Sequence, residues 1–295
     1  IMIYRLLHFF LKLLSYIPFR MLYILSDGLF YPLYYIVRYR RKIVRKNLTE
    51  SFPEKSLSEI KQIEKKFYHF FIDMTLESCK LASISPKKIK QRMQFTNTEA
   101  VNSMLRQGKS VSIYIGHYGN WEWVSSMPLW LEKSATGIQI YHKLRNKSME
   151  QLMMHIRERM GGTCVEMHKT ARCITELANR HEVCIIGFIA DQSPRKQESR
   201  FFLPFLHHST PVLTGTEKIT KHYGFEAFYL DVKRKKRGYY EAEFTQLHEN
   251  LQSLPDFELT TLYFQRLEQT ILRQPELYLW THNRFKHAEK LETNN

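Results

Sequence analysis

Four cysteines in 295 residues, Cys79, Cys164, Cys173 and Cys184, with no CxxC pair and no regular spacing, leave no disulfide framework to build. They read as reduced, buried thiols in a cytoplasmic setting. No HExxH occurs among the 13 histidines, which excludes a helix-borne metal site of that kind, and no other metal-ligand pattern stands out. Long hydrophobic runs are missing too. The opening forty residues are rich in Leu, Ile, Phe and Tyr, yet Arg5, Lys12, Arg20 and Asp27 interrupt them well short of the ~20 apolar residues a membrane span needs. No small-residue cleavage site follows, so this stretch is not read as a signal peptide. Internal repeats and flexible linkers are lacking, which favours a simple division: a membrane-associated helical segment over 1–45 and one α/β domain over 46–295.

Acidic charge is also scarce. Twenty-nine Asp and Glu stand against 44 Lys and Arg, a formal net charge of +15, so the expected partners are anionic: lipid phosphate, an acidic protein or nucleic acid. The aromatic residues, 14% of the chain, crowd toward its start, and that distribution favours an anionic membrane surface over nucleic acid. Ile3, Leu6, Leu7, Phe10, Leu11 and Leu14 share one helical face, and Arg5, His8 and Lys12 another. Such a basic amphipathic helix lies in the plane of a membrane interface. Pro18 and Pro32 break the segment into pieces. Arg38 to Lys46, "RYRRKIVRK", supplies a cationic patch for headgroups or an acidic carrier.

Helical spacing runs from Ser56 to Leu81. Strand-like runs follow at Ser110 to Ile115, Gly137 to Tyr141, Thr163 to Met167 and Val183 to Ala190. Helical patterns separate them at Trp121 to Lys133, Ser148 to Met160 and Thr170 to Arg180. This alternation predicts an α/β fold with a mainly parallel central sheet flanked by helices. Such sheets carry their working groups at the carboxyl ends of the strands. Phe225 to Val232 and Tyr239 to Leu247 flank "KRKKRG" and read as a hairpin toward the sheet edge, its basic turn a solvated tip. Asp256 to Arg273 forms a last helix.

At the end of the first strand stands "GHYGNWE", Gly116 to Glu122. On a regular helix five residues turn the chain by about 500°, which would hold His117 and Glu122 some 140° apart. A loop between strand and helix removes that obstacle. Gly116 and Gly119 permit the turn, and Asn120 suits the N-cap of the following helix. The expectation is a hydrogen bond between His117 and Glu122, the carboxylate fixing the tautomer of a general base that deprotonates a hydroxyl.

The motif resembles the H-x4-D/E signature of the glycerolipid acyltransferase superfamily. The chain from about Arg40 to Lys286 resembles, more narrowly, the bacterial lipid A biosynthesis late acyltransferases. "RRKIVRKNLTESFPEKS" is similar to their basic block followed by N-L-x-x-x-F-P, and "IRERMGG" to their arginine-bearing turn. "FIADQSP" with "FFLPFL" resembles their D-Q block and F-P-F stretch, and "PELYLWTHNRFK" their C-terminal signature. "YHKLRNKSMEQLM" matches their Y-R-P-x-x-N-P block in part, with Lys143 and Lys147 in place of two prolines.

The resemblance implies roles for particular residues. His117 would be the general base and Glu122 its partner. Arg157, or Arg159 beside it, would hold a lipid phosphate or an oxyanion, and Asp191 would join the catalytic set. Asn120, Tyr141, Asn146, Arg159, Gln192 and Arg284 would lie along the substrate path. In "WTHNRFK" the aromatics read as a packed terminal element. The implied function is transfer of a fatty acyl group from an acyl-carrier-protein thioester to a hydroxyl of a lipid A precursor, at the cytoplasmic face of a bacterial inner membrane. No cofactor beyond the thioester co-substrate is expected. A lysophospholipid or aminolipid acyltransferase, a non-catalytic basic membrane-binding module, or a hydrolase using the same dyad are the rival readings.

Overall fold

Helix and strand alternate as the pattern predicts. The computed structural model describes residues 2–198 and 200–290. Its helices are α1 (Met2–Tyr16), α2 (Phe19–Tyr31), α3 (Arg41–Ser51), α4 (Leu57–Cys79), α5 (Pro86–Arg92), α6 (Thr98–Arg106), α7 (Lys147–Glu158), α8 (Thr170–Asn179), α9 (Gly215–His222) and α10 (Glu258–Arg273). The strands are β1 (Met93–Thr96), β2 (Val111–Ile115), β3 (Thr136–Tyr141), β4 (Gly162–Glu166), β5 (Cys184–Ile189), β6 (Phe202–Phe205), β7 (His208–Pro211), β8 (Glu226–Lys236), β9 (Tyr239–Gln246) and β10 (Glu289–Lys290).

Seven strands form one sheet in the order β1-β9-β8-β2-β5-β3-β4. Every neighbouring pair is parallel except the β8–β9 hairpin. β2 sits at the centre with all five residues buried, as expected of a strand covered on both faces. A smaller sheet, β10-β7-β6, lies beside it. The larger apolar cluster joins the central sheet to α4, α6 and α10, and a second one gathers Ile138, Ile174, Leu177 and Ile186, where α8 covers the sheet.

The structure refines several expectations. The hairpin lies toward the sheet edge as expected, with β1 pairing in parallel with β9 to form the edge itself. Its basic turn is only in part a solvated tip: Lys235 and Lys236 are exposed, but Arg234 and Arg237 both bond Asp73 of α4, and Arg237 also bonds Asp27 of α2. The helix expected over 121–133 shortens to a 3-10 segment, Trp123–Leu129. Pro128 has no N–H to continue it, and the Ser125 and Ser126 hydroxyls take the Glu122 and Trp123 carbonyls instead.

The α4 start is a capping box: Ser56 Oγ accepts from the Glu59 N–H, and the Glu59 carboxylate accepts from the Ser56 N–H at 2.8 Å. Such an arrangement contributes about 1 kcal/mol. All four cysteines are free, though only Cys184 is fully buried.

At the N-terminus the chain bends by 112° between Leu7–Tyr16 and Phe19–Val37, where Pro18 interrupts it. No single helix among the described residues is long and apolar enough to cross a membrane. The apolar residues of α1 are divided between two surroundings. Leu11 and Leu14 pack on the core, whereas Phe9, Phe10 and Leu13 are more than half exposed. The side chains of Ile3, Arg5 and Leu6 lie outside the described residues. α2 behaves likewise, burying Phe19, Leu22 and Phe30 while exposing Met21 and Ile24. The bend is pinned from below. Lys80 Nζ and Ser83 Oγ both bond the carbonyl of Ser15 at the α1 C-terminus, where a cation meets the negative end of the helix dipole.

Candidate active site

The motif loop leaves β2 at Ile115, and its fold is set by its own residues. Gly119 adopts φ +61°, and a Cβ there would meet Val232 Cγ1 at 2.7 Å, so glycine is needed for both conformation and space. Gly116 is needed for space alone, since a Cβ would come within 2.5 Å of Leu267 Cδ1. Asn120 is fully buried. Its Oδ1 accepts from the Trp123 N–H at 3.1 Å and its Nδ2 donates to Glu77 Oε2 at 2.9 Å. The helix expected to start at Trp121 starts at Trp123 with Glu122 at its N-cap position, so Asn120 closes the turn before it instead of capping it, and burial removes it from the substrate path.

Glu77 is the hub beneath the loop. It accepts from Asn120, Tyr240 and Tyr23, and its backbone carbonyl accepts from Trp123 Nε1 at 2.9 Å. Burial pushes its carboxyl up, only partly offset by the Tyr240, Asn120 and Tyr23 bonds. The sequence offered little sign of this role, because Glu77 lies on a helix 40 residues before the motif; its place on a buried face of α4 was the only signal.

His117 is oriented by Asp191, not by Glu122. Its Nδ1 lies 2.6 Å from Asp191 Oδ1, and its backbone N–H donates to Asp191 Oδ2 at 3.0 Å. Burial pushes the Asp191 carboxyl up, but the His117 ring and N–H, with Arg284 nearby, outweigh it and hold it below the ordinary range. An ionised Asp191 favours the tautomer of His117 with its proton on Nδ1 and leaves the Nε2 lone pair free. Gln192 places its amide nitrogen 3.2 Å from that Nε2.

Glu122 has a different partner. Arg157 Nε and Nη2 donate to its two oxygens at 2.8 and 2.6 Å, a two-pronged pair with fixed geometry. Burial works against the Arg157 charge, but Glu122 more than compensates and the guanidinium stays above its ordinary range. The two arginines point different ways: Arg157 lines the cavity, whereas Arg159 Nη1 bonds the Leu81 carbonyl.

His117, Glu122, Arg157 and Gln192 all line a cavity of about 560 Å³, within the size range of ligand pockets. Most of the remaining lining is apolar, including Ile138, Ile140, Met149, Met153, Met154 and Ile189, with Ser125, Gln139, His142 and Glu150 as polar exceptions. Tyr141 also lines it, with its hydroxyl on Glu150 Oε1 at 3.1 Å. Asn146 stands at the exposed rim, where its Oδ1 caps α7 through the Met149 N–H. Arg284 does not reach the cavity. It is 2% exposed, packed over Phe205 and Phe264, with Nη1 on the Pro211 carbonyl at 3.0 Å.

The C-terminal stretch braces the catalytic loops. Leu279 N–H bonds the His117 carbonyl and Gly119 N–H the Leu277 carbonyl, both at 3.0 Å. His282 Nε2 accepts from the Ser193 N–H at 3.1 Å, two residues after Asp191. Burial pulls the His282 pKa down to about 4, so the ring is the neutral acceptor this bond requires. Asn47 of α3 in turn donates to the Trp280 and His282 carbonyls.

The arrangement holds an oriented imidazole, a fixed carboxylate–guanidinium pair and an apolar cavity within one site. A family model described as bacterial lipid A biosynthesis acyltransferase matches residues 1–287. A protein of Haemophilus influenzae named lipid A biosynthesis acyltransferase is 22% identical over 273 residues, covering 92% of this chain and 84% of that protein.

Proposed function

Because the chain belongs to the bacterial lipid A biosynthesis acyltransferase family, we propose that it moves a fatty acyl group from an acyl-carrier-protein thioester to a hydroxyl of a lipid A precursor. The observation that carries the reading is the His117–Asp191 pair opening on an apolar cavity. Asp191 holds Nδ1–H, and the acceptor hydroxyl takes the place of the Gln192 amide at Nε2. Nε2 removes the hydroxyl proton as the oxygen attacks the thioester carbonyl. The tetrahedral intermediate then expels the carrier thiol, which takes the proton from the imidazolium. Ester and free thiol result, and His117 is neutral again.

Glu122 serves through Arg157 in this scheme. The carboxylate orients the guanidinium along the cavity wall, where a cation stabilises the oxyanion or an acceptor phosphate. The acyl chain lies among Ile138, Ile140, Met153 and Met154. The α1–α2 face, with Phe10, Leu13, Met21 and Ile24 exposed, rests on the bilayer, and the net positive charge favours anionic headgroups and an acidic carrier. On this reading the protein works at the cytoplasmic face of the inner membrane. Mass spectra of lipid A from cells with and without the protein test the reading. Loss of one acyl chain is expected without it, and an unchanged acylation pattern would refute it.

A further inference from the structure

The cavity mouth is edged by the connection between β3 and α7. His142 and Leu144 line the cavity, and between and beyond them Lys143, Arg145 and Lys147 are exposed. None of the three meets a carboxylate among the described residues. The nearby carboxylates are engaged elsewhere: Glu150 with Tyr141, Glu122 with Arg157, and Glu166 with Lys169 at 3.7 Å. Three unopposed cations therefore stand within five residues of one another. Leu144 and Met149 beside them are 40% and 37% exposed.

The mouth lies toward the apolar N-terminal face. α1 and α7 run side by side, with the His8 and His155 rings 5.4 Å apart. Lys80 holds the α1 end at Ser15, and Arg159, just past the α7 end, bonds Leu81. Both C-terminal ends thus meet the turn at 80–82, so the two helices run the same way and their N-terminal ends point toward the mouth.

We propose that Lys143, Arg145 and Lys147 form a clamp for the phosphate monoester of a lipid presented from the bilayer; this rests on the acyl-transfer reading above. Arg145 supplies a planar fork that matches phosphate oxygens, the two lysines act as point charges, and the positive end of the α7 dipole adds to them. Leu144 and Met149 contact the lipid below its headgroup. These apolar neighbours select a bilayer over an acidic carrier, which would leave them uncovered.

The test uses the full chain and a Lys143→Gln/Arg145→Gln/Lys147→Gln variant. Each is titrated with phosphatidylcholine vesicles alone, with added phosphatidic acid, or with phosphatidylglycerol at matched charge. The unchanged protein prefers phosphatidic acid, and the variant loses about a hundredfold in affinity for it, in keeping with the contribution of three basic residues at a membrane surface. A variant that keeps the preference overturns the clamp, whether or not the protein transfers acyl groups. In acyl transfer the variant raises KM for a phosphorylated glycolipid acceptor about tenfold. A rise confined to the carrier thioester would assign the loop to the carrier and overturn the proposal. Absence of any transfer by the unchanged protein would refute the acyl-transfer reading alone, leaving the vesicle result to decide the clamp.

Discussion

His117 Nδ1 lies 2.6 Å from Asp191 Oδ1, although 74 residues separate them in the chain. The contact follows from strand register. β2 and β5 are parallel neighbours with Ile115 opposite Ile189, and each strand is followed two residues later by one member of the pair. Replacing Asp191 with Asn places an amide opposite Nδ1 and favours the wrong imidazole tautomer. The expected result is a fall in kcat of roughly 10³- to 10⁴-fold with little change in KM. Steady-state kinetics check it, and near-normal kcat would remove Asp191 from the mechanism.

The Glu122–Arg157 pair is expected to act as a unit. Replacing Glu122 with Gln leaves a half-buried guanidinium without its counter-ion, a change that costs about 2–4 kcal/mol of stability in such settings. A double-mutant cycle with Arg157→Gln, followed by urea unfolding, should show a coupling energy above about 1 kcal/mol. Additive effects would mean that the two side chains act separately.

His282 makes stability depend on pH. Its native pKa is near 4, against 6.5 for an ordinary histidine, so between those values the unfolded chain binds more protons than the folded one. Stability therefore rises from pH 4 to about 6.5 and is level above it, with a contribution of about 3 kcal/mol. Urea unfolding across this range reads the slope. His282→Gln, which keeps an acceptor for the Ser193 N–H but does not titrate, should flatten it. An unaltered slope would show that His282 is not the group responsible.

The N-terminal face makes a separate prediction. Ile24 and Ile36 are 72% and 79% exposed, so Ile24→Glu and Ile36→Glu should leave thermal unfolding almost unchanged. Each should weaken sedimentation with anionic vesicles by roughly tenfold or more, because a charge replaces buried apolar surface. Vesicle binding equal to that of the unchanged protein would place the membrane contact elsewhere.

Much of this arrangement was legible in the sequence where the signal was local. The strands before and after the motif, the helix from Ser56 and the glycine-bearing turn all follow from short patterns. The partner of His117 was not local. Glu122 is close in sequence and chemically suited, whereas Asp191 is brought near by sheet order, which hydrophobic periodicity does not report. The shared offset of the two residues from their strand ends was the available clue. Arg284 shows the opposite failure: a cation in a basic, aromatic stretch read as a ligand-binding group, yet it is buried behind the site. At the N-terminus, the sequence pattern assumed one apolar face, whereas α1 and α2 use apolar residues both against the core and toward the outside.

The central claim is that His117 drives acyl transfer to a lipid A precursor hydroxyl. It is tested most directly by incubating the protein with an acyl-carrier thioester and that precursor, and weighing the glycolipid by mass spectrometry. The account predicts a gain of one acyl chain with the unchanged protein and none with His117→Ala. An equal gain with His117→Ala, or release of free fatty acid with no acylated glycolipid, would contradict it.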